Sequence, residues 1–567
     1  MLVGTGAEMV SLGMAVPFLG ALTAPERVFE HPWARPIIDG LGLVEPGQLL
    51  LPLTVLFILA AILSGATRFA LVWGQTRLGH AVGGDLGAAA YRRTLYQPYT
   101  VHVERNSSEV VVALINKINT IVYFILIPLL TLITSTLIVL AVVAFMLFVD
   151  PKLTAAAFLG FGALYAAVAY SAKRRLASDG QVVTEEQNRV TRFVQEGLGG
   201  IRDVLIYGLQ ETYSRIYRHA DYALRRALAR IAIAAGAPRP IIEAFSLILI
   251  AWLAYVVSSR SSSVAEAVPV LGALALAAQR LLPLVQQAYA AWTSLIGGRA
   301  SLVDVLVLLE QPLPAHANEP ASAMPFDREI RLRDVHFRYG AQGPWILRGV
   351  DLSIPRGTRV GFIGPTGSGK TTLLDIVMGL LAPTSGALSI DGVAIDAANR
   401  RSWQTHIAHV PQAIFLADTT IAENIAFGVP PDEVDLEGVR EAARQARIAE
   451  TIDSWRSGYD TLVGERGMRL SGGQRQRIGI ARALYKRADV IVFDEATSAL
   501  DDDTERGVME AIDALGDGIT ILIVAHRITT LENCDQIVEL RGGAIHRVGK
   551  LRDHVRPARA ESGREVK

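Results

Sequence analysis

Long apolar runs alternate with charged stretches through the first half of the chain. The second half switches to short strands and amphipathic helices. Residues 1–22 are apolar and, apart from Glu8, uncharged; they predict a first membrane span. No Lys or Arg precedes Arg27, whereas a signal peptide opens on a basic segment. Residues 23–47 are rich in proline, charge and turn formers and predict an outer loop. Residues 49–73 form the second predicted span, which at ~1.5 Å per residue is long enough to cross ~30 Å of hydrocarbon. Residues 75–116 are mixed, with Arg77, Arg92, Arg93 and Arg105, and predict helical extensions beyond the membrane around a turn at 98–108. Spans at 118–149 and 153–170 follow, joined by a tight turn at Asp150-Pro151. Residues 173–239 form a second, arginine-rich extension. Spans at 241–257 and 264–296 complete a set of six, with a short outer loop at 258–263.

Residues 1–310 therefore predict an all-α, six-helix transmembrane domain. Residues 311–329, Pro/Ala-rich at first and polar, predict a linker. From 330 to 550 the pattern is that of an α/β domain. Alternation at 331–337 and the run at 346–354 predict a small antiparallel sheet, and 415–488 a helical subdomain. Residues 551–567 are charged and predict a frayed tail.

Composition supports this division. Of 567 residues, 51% are hydrophobic and only 19% charged, and the mean hydropathy is +0.32. Those values fit a membrane half joined to a soluble half. The net charge is zero, so nothing points to nucleic acid, and a single cysteine, Cys534, excludes an internal disulfide framework. Basic residues crowd the two extensions, while the outer loops hold only Arg27, Arg35 and Arg260. This bias places the extensions and the α/β domain in the cytoplasm.

The chemistry lies in the second half. Gly364-Pro365-Thr366-Gly367-Ser368-Gly369-Lys370-Thr371-Thr372 fits G-x-x-x-x-G-K-[ST], between a predicted strand (360–363) and a predicted helix (373–381). Such a loop curls its amides around phosphate oxygens at a helix N-terminus. Lys370 is suited to reach the β/γ-phosphates of ATP, and the Thr371 hydroxyl to ligate Mg²⁺. The apolar strand 490–493 ends in two carboxylates. Asp494 is placed to hold Mg²⁺, and Glu495 to act as the base that orients and polarises attacking water.

Between these motifs stands Leu470-Ser471-Gly472-Gly473-Gln474, and with it the cassette resembles ATP-binding-cassette (ABC) proteins. The resemblance implies that Ser471, Gly472, Gly473 and Gln474 face the γ-phosphate held by an opposite subunit. It implies that Tyr339 stacks on adenine and that Gln412 is the Q-loop glutamine contacting Mg²⁺ and water. It further gives 464–467 as the X-loop of exporters, Asp501 as the D-loop aspartate and His526 as the switch histidine. The six spans resemble the membrane domain of exporter-type ABC half-transporters. In that family each extension ends in a short coupling helix, here expected near 98–106 and 207–217. A basic segment usually precedes the first span of such exporters, which leaves room for a native start upstream of Met1.

The resemblance implies an ATPase that drives export, working as a homodimer: one chain holds one phosphate loop and one signature, and both act on the same ATP only across a dimer. The six spans exclude a soluble ABC ATPase. A nucleotide-gated channel fits poorly with an intact base and signature, and an importer fits poorly with the fusion of spans and cassette.

For the substrate, Glu8…Pro17-Phe18, the stretch 196–204 and the stretch 238–243 resemble flippases of lipid-linked oligosaccharides. An amphipathic, lipid-linked substrate drawn from membrane lipid follows, with a multidrug or lipid A-type lipid exporter, or a peptide exporter, as alternatives. Arg280 lies ~24 Å along the sixth span from Val264. A guanidinium at that depth can contact an anionic headgroup such as a pyrophosphate, or snorkel, or pair with an acid such as Glu8. Arg68 is a weaker candidate.

Overall fold

The computed structural model describes residues 1–567 except 24, 33–34, 150, 261–263, 341, 495–501, 514–517, 525–530 and 555–567. Over 264–280 it describes the backbone alone. The chain divides into two compact units, one of residues 1–97 and 104–313, the other of residues 98–103 and 314–567.

The first unit is helical throughout. Its long helices are Leu2–Thr23, Leu50–Leu95, a continuous run over 107–149, Pro151–Gly199, Gln210–Gly236, Pro238–Arg260 and Val264–Leu309. Among the described residues, stretches within four of these helical runs are long and apolar enough to cross a membrane: Leu2–Leu22, Pro46–Leu95, Ser107–Leu147 and Leu281–Leu309. The predicted spans at 153–170 and 241–257 fall in helices whose side chains lie partly outside the described set.

Several boundaries differ from expectation. The helix that carries the predicted span 118–149 starts at Ser107, where the expected turn at 98–108 ends, and it loosens into π-turns at Ala113–Lys117 and Val122–Leu126. Lys117, buried in the first of these turns, pairs with Asp304 of the last long helix. The outer segment 23–47 is not plain loop. Short helices Pro25–Phe29 and Arg35–Leu41 fold their apolar residues onto Ala21, Leu49 and Leu53. Near 207–217 there is no separate short helix. The six-residue helix is Ile201–Ile206, and a turn at Tyr207–Leu209 leads into the 27-residue helix Gln210–Gly236.

Small residues let these helices approach closely, as membrane helices require in the absence of a hydrophobic drive between them. A Cβ at Gly180 would lie 2.4 Å from the Gly297 carbonyl oxygen. Further along, Leu176, Val183, Ala227 and Ile231 make a small core between the two helices of the second extension. Arg230 closes its edge by donating to Asp179 at 2.8 Å.

The second unit is α/β. Strands β1 (Glu329–Arg338), β2 (Trp345–Pro355), β4 (Ser385–Ile390) and β5 (Val393–Ala394) form an antiparallel sheet in the order β2-β1-β4-β5. The main sheet uses β3 (Arg359–Ile363), β6 (Ile407–Val410), β7 (Val490–Asp494), β8 (Thr520–Val524), β9 (Gln536–Arg541) and β10 (Ala544–Gly549), ordered β10-β9-β3-β8-β7-β6. Its strands are parallel except β10. The near-continuous burial of β3, β7 and β8 is what a sheet covered on both faces demands. Helices Ile421–Ile425, Leu436–Gln445, Ala449–Asp453 and Gly472–Tyr485 build the helical subdomain. Of the charged tail, Leu551–His554 forms one helical turn, and 555–567 lie outside the described residues.

Candidate functional site

The phosphate loop leaves the C-terminal end of β3 and enters the helix Lys370–Val377. That edge of a parallel sheet is where α/β folds bind ligands. Its glycines are needed for space as well as for torsion. Gly364 has φ 148°, and a Cβ there would meet the Leu540 carbonyl oxygen at 2.3 Å. Gly369, the N-cap of the helix, has φ 96°, and a Cβ there would meet Leu347 at 2.8 Å. The loop folds around Lys370, whose ammonium donates to the carbonyls of Gly364 (2.8 Å) and Pro365 (3.2 Å). The Ser368 hydroxyl is buried without a protein partner. Curled backbone, helix N-terminus and a cation at the centre together make a cradle for polyphosphate.

Tyr339 follows β1 directly. Its ring meets Phe337 edge-on at 4.9 Å. Burial pushes its phenol up, a hydrogen bond with Thr372 pulls the other way, and Asp375 and Tyr99 add to the rise. Tyr339 thus stands near the end of the phosphate loop. Tyr99 belongs to the short helix Tyr99–Glu104, most of which groups with the cassette in the second unit.

Asp494 ends β7, one strand removed from β3 across β8. It lies close enough to Asp375, in the loop's helix, to raise that carboxyl: burial first and Asp494 second push Asp375 to about 6. Gln412 sits just past β6, exposed, beside β7. The loop, Tyr339 and Asp494 are therefore gathered at one edge of the sheet, with Gln412 on the neighbouring strand end. The hydroxyl of Thr371, the amide of Gln412 and the carboxylate of Asp494 are hard oxygen donors of the kind Mg²⁺ prefers.

The signature lies elsewhere. Ser471 caps the helix Gly472–Tyr485 through a reciprocal pair: Gln474 N donates to Ser471 Oγ (3.2 Å), and Ser471 N donates to Gln474 Oε1 (2.8 Å). This helix packs on Leu436–Gln445, Ile421–Ile425 and β6. Gly464, with φ 73°, opens the turn Glu465–Gly467 just before it. Glu495, Asp501 and His526 lie outside the described residues, as does the side chain of Arg280 on its helix Val264–Leu309. Glu8, offered above as a partner for Arg280, pairs with Arg68.

Two residues were missed by sequence reasoning. Asp375 reads as an ordinary polar helix position until the sheet brings Asp494 beside it. Arg482 reads as surface charge, yet it donates to the carbonyls of Asn424 (2.9 Å) and Phe415 (3.0 Å) and lies 4.5 Å from the Phe427 ring. Burial pushes its guanidinium down to about 10. It pins the signature helix to the stretch that follows Gln412.

Residues 347–498 match the ABC transporter family, and residues 27–278 the ABC transporter transmembrane region. The chain is 33% identical to the ATP-dependent lipid A-core flippase of Thiobacillus denitrificans over 88% of its own length and 85% of the relative's. It is 30% identical to the protein of that name from Ralstonia nicotianae, over 96% and 92%. Its fold matches the structure of a bacterial Atm1-family ABC exporter with ATP bound, with a TM-score of 0.79 and 24% identity, over 97% of this chain and 95% of that one. The chain belongs to the ABC transporter family, as an exporter-type half-transporter whose hydrolysis of ATP is coupled to transport across a membrane.

Proposed function

We propose that two copies of this chain flip an amphipathic lipid, lipid-linked oligosaccharide or lipid A-like, across the bacterial inner membrane, with both cassettes in the cytoplasm. The observation that carries the lipid assignment is similarity to lipid A-core flippases over nearly the whole chain, membrane half included. The motifs at 196–204 and 238–243 lean the same way.

In each site Lys370 and the loop amides bind the β- and γ-phosphates, and Tyr339 stacks on adenine. Thr371, Asp494 and Gln412 would hold Mg²⁺, which supplies charge neutralisation on the phosphates when bound. Glu495 takes the proton of the attacking water, and His526 steadies the γ-phosphate. Ser471 to Gln474 and Asp501 serve the partner's ATP, because the signature helix is built into its own subdomain, away from the loop of the same chain. ATP binding then draws two copies together, and the segments at 98–106 and 201–217 transmit closure to the spans.

The test is reconstitution. Purified protein in vesicles should move a fluorescent glycolipid between leaflets in an ATP-dependent way. ATP hydrolysis stimulated only by uncharged drugs, with no lipid movement, would instead support a multidrug exporter.

A further inference from the structure

The linker after the last long helix is bonded at both ends. In the first unit, Arg93 Nη1 donates to the Gln311 carbonyl at 2.6 Å, and Gln97 Nε2 donates to that of Pro312 at 3.1 Å. In the second unit, Arg401 Nη1 donates to the His316 carbonyl at 3.2 Å, and the His406 ring meets Met324. Three residues, 313–315, separate the two sets of bonds.

His406 stands between the short helix Arg400–Gln404 and β6. Its Nε2 lies 2.6 Å from the Met324 carbonyl oxygen, and its Nδ1 lies 2.6 Å from Asp489 Oδ2. Both partners are acceptors, so the ring donates on both sides and carries two protons when both bonds form. Two residues past Met324, Phe326 is 4% exposed. Its ring meets Trp403 edge-on at 5.3 Å and His406 at 6.3 Å, and the Arg356 guanidinium lies over it at 5.7 Å. Arg356 also reaches Asp489 at 3.4 Å, the carboxylate that orients His406. Backbone, ring and charge together hold this end of the linker.

The same short helix grips the phosphate-loop helix. The last carbonyls of a helix find no partner within it. Trp403, fully buried, donates from Nε1 to the carbonyl of Val377, the last residue of the helix Lys370–Val377, at 2.7 Å. Gln404 Nε2 donates to the Gly379 carbonyl at 3.2 Å. A helix built to receive phosphate at its N-terminus is thus tied at its C-terminus to the element that holds the linker. A close-packed interior passes small displacements on rather than absorbing them.

We infer that Arg400–His406 is a strap that carries the state of the phosphate loop to the linker. Trp403 is its grip on the loop's helix, and His406 its grip on Met324. Both are positioning residues, acting through the helix and the linker. The inference does not depend on which compound is transported.

The test is hydrogen exchange, read by mass spectrometry, on the full-length protein in nanodiscs at pH 6, with and without a non-hydrolysable ATP analogue and magnesium. In wild type the analogue should slow exchange in 364–373 and, through the strap, in 320–328 by about three- to tenfold, the range of one hydrogen bond. His406→Phe keeps a ring against Trp403 and loses both bonds. It should keep the protection of 364–373 and lose the response of 320–328. His406→Gln, whose amide can stand in for Nε2 towards Met324, should keep both. An analogue that protects 364–373 in wild type and leaves 320–328 unchanged overturns the inference. So does a response of 320–328 that survives in His406→Phe. Should that variant not fold, Asp489→Ala, which removes the carboxylate that orients the ring, is read in its place, and a response of wild-type size overturns the inference. No protection of 364–373 in wild type would instead contradict the ATP site itself.

Discussion

The Tyr339 ring meets the Phe337 ring edge-on, with centroids 4.9 Å apart, so the aromatic that follows β1 is braced against the antiparallel sheet. The phosphate loop leaves β3 of the parallel sheet, so the proposed adenine platform and the phosphate cradle are carried by two different sheets. Tyr339→Ala should raise the KM for ATP by about three- to tenfold, the range of a lost stacking contact, with kcat little changed. Tyr339→Phe keeps the ring, so its KM should stay near wild type. Steady-state kinetics on all three proteins decides this; an unchanged KM in the alanine variant removes Tyr339 from adenine binding.

Asp375 gives a pH dependence with a definite sign. Burial and Asp494 raise its carboxyl to about 6, so the folded cassette holds this proton more tightly than the unfolded chain. The stabilisation is fully present below the ordinary value of 3.8 and is lost as pH rises through about 6. Asp375→Asn should therefore melt a few degrees above wild type at pH 7.5, with the gap closing towards pH 4. A gap that is constant across this range would show that Asp375 does not titrate as described.

Much of this was legible in the sequence, and the reasons differ by region. The phosphate loop, Asp494 and the signature are local patterns whose spacing carries their chemistry, and the strands around them are continuous apolar runs. Four apolar stretches, Leu2–Leu22, Pro46–Leu95, Ser107–Leu147 and Leu281–Leu309, overlap predicted spans and could be read from hydropathy alone. The shift from 207–217 to Ile201–Ile206 as the short helix was not legible, because Gly208 ends one helix and nothing nearby says that Gln210 begins a long one. The helix start at Ser107 agrees with the turn expected at 98–108, but the π-turns and the pairing of buried Lys117 with Asp304 were not legible, because the partner stands 187 positions away. Arg68 and Glu8 stand 60 positions apart, and only packing of the first two long helices reveals them as a pair.

Gly180 tests the close packing of the membrane half. With the Gly297 carbonyl 2.4 Å from where its Cβ would stand, Gly180→Ala must push two helices apart. A cost of about 1–3 kcal/mol is expected. The detergent-solubilised variant should melt earlier than wild type and still bind an ATP analogue through its cassette. Unchanged melting would mean that these helices separate without penalty.

The assembly prediction concerns mass. Loaded with ATP, the Glu495→Gln variant should run as a dimer of identical chains, since each phosphate loop lacks a signature from its own chain. Native mass measurement reads this directly. An obligatory second kind of chain in the active preparation would overturn the homodimer.

The most direct test of the account compares wild type and Glu495→Gln in vesicles carrying a fluorescent glycolipid. The amide keeps the shape of the side chain and cannot take a proton from water. Wild type should move the lipid only when ATP is supplied. The variant should bind ATP as tightly, hydrolyse it at least about a hundredfold more slowly, and move no lipid beyond one closure per dimer. Lipid movement at the wild-type rate in the variant, or none in a wild type that hydrolyses ATP, would contradict the claim that this chain couples hydrolysis at Glu495 to lipid flipping.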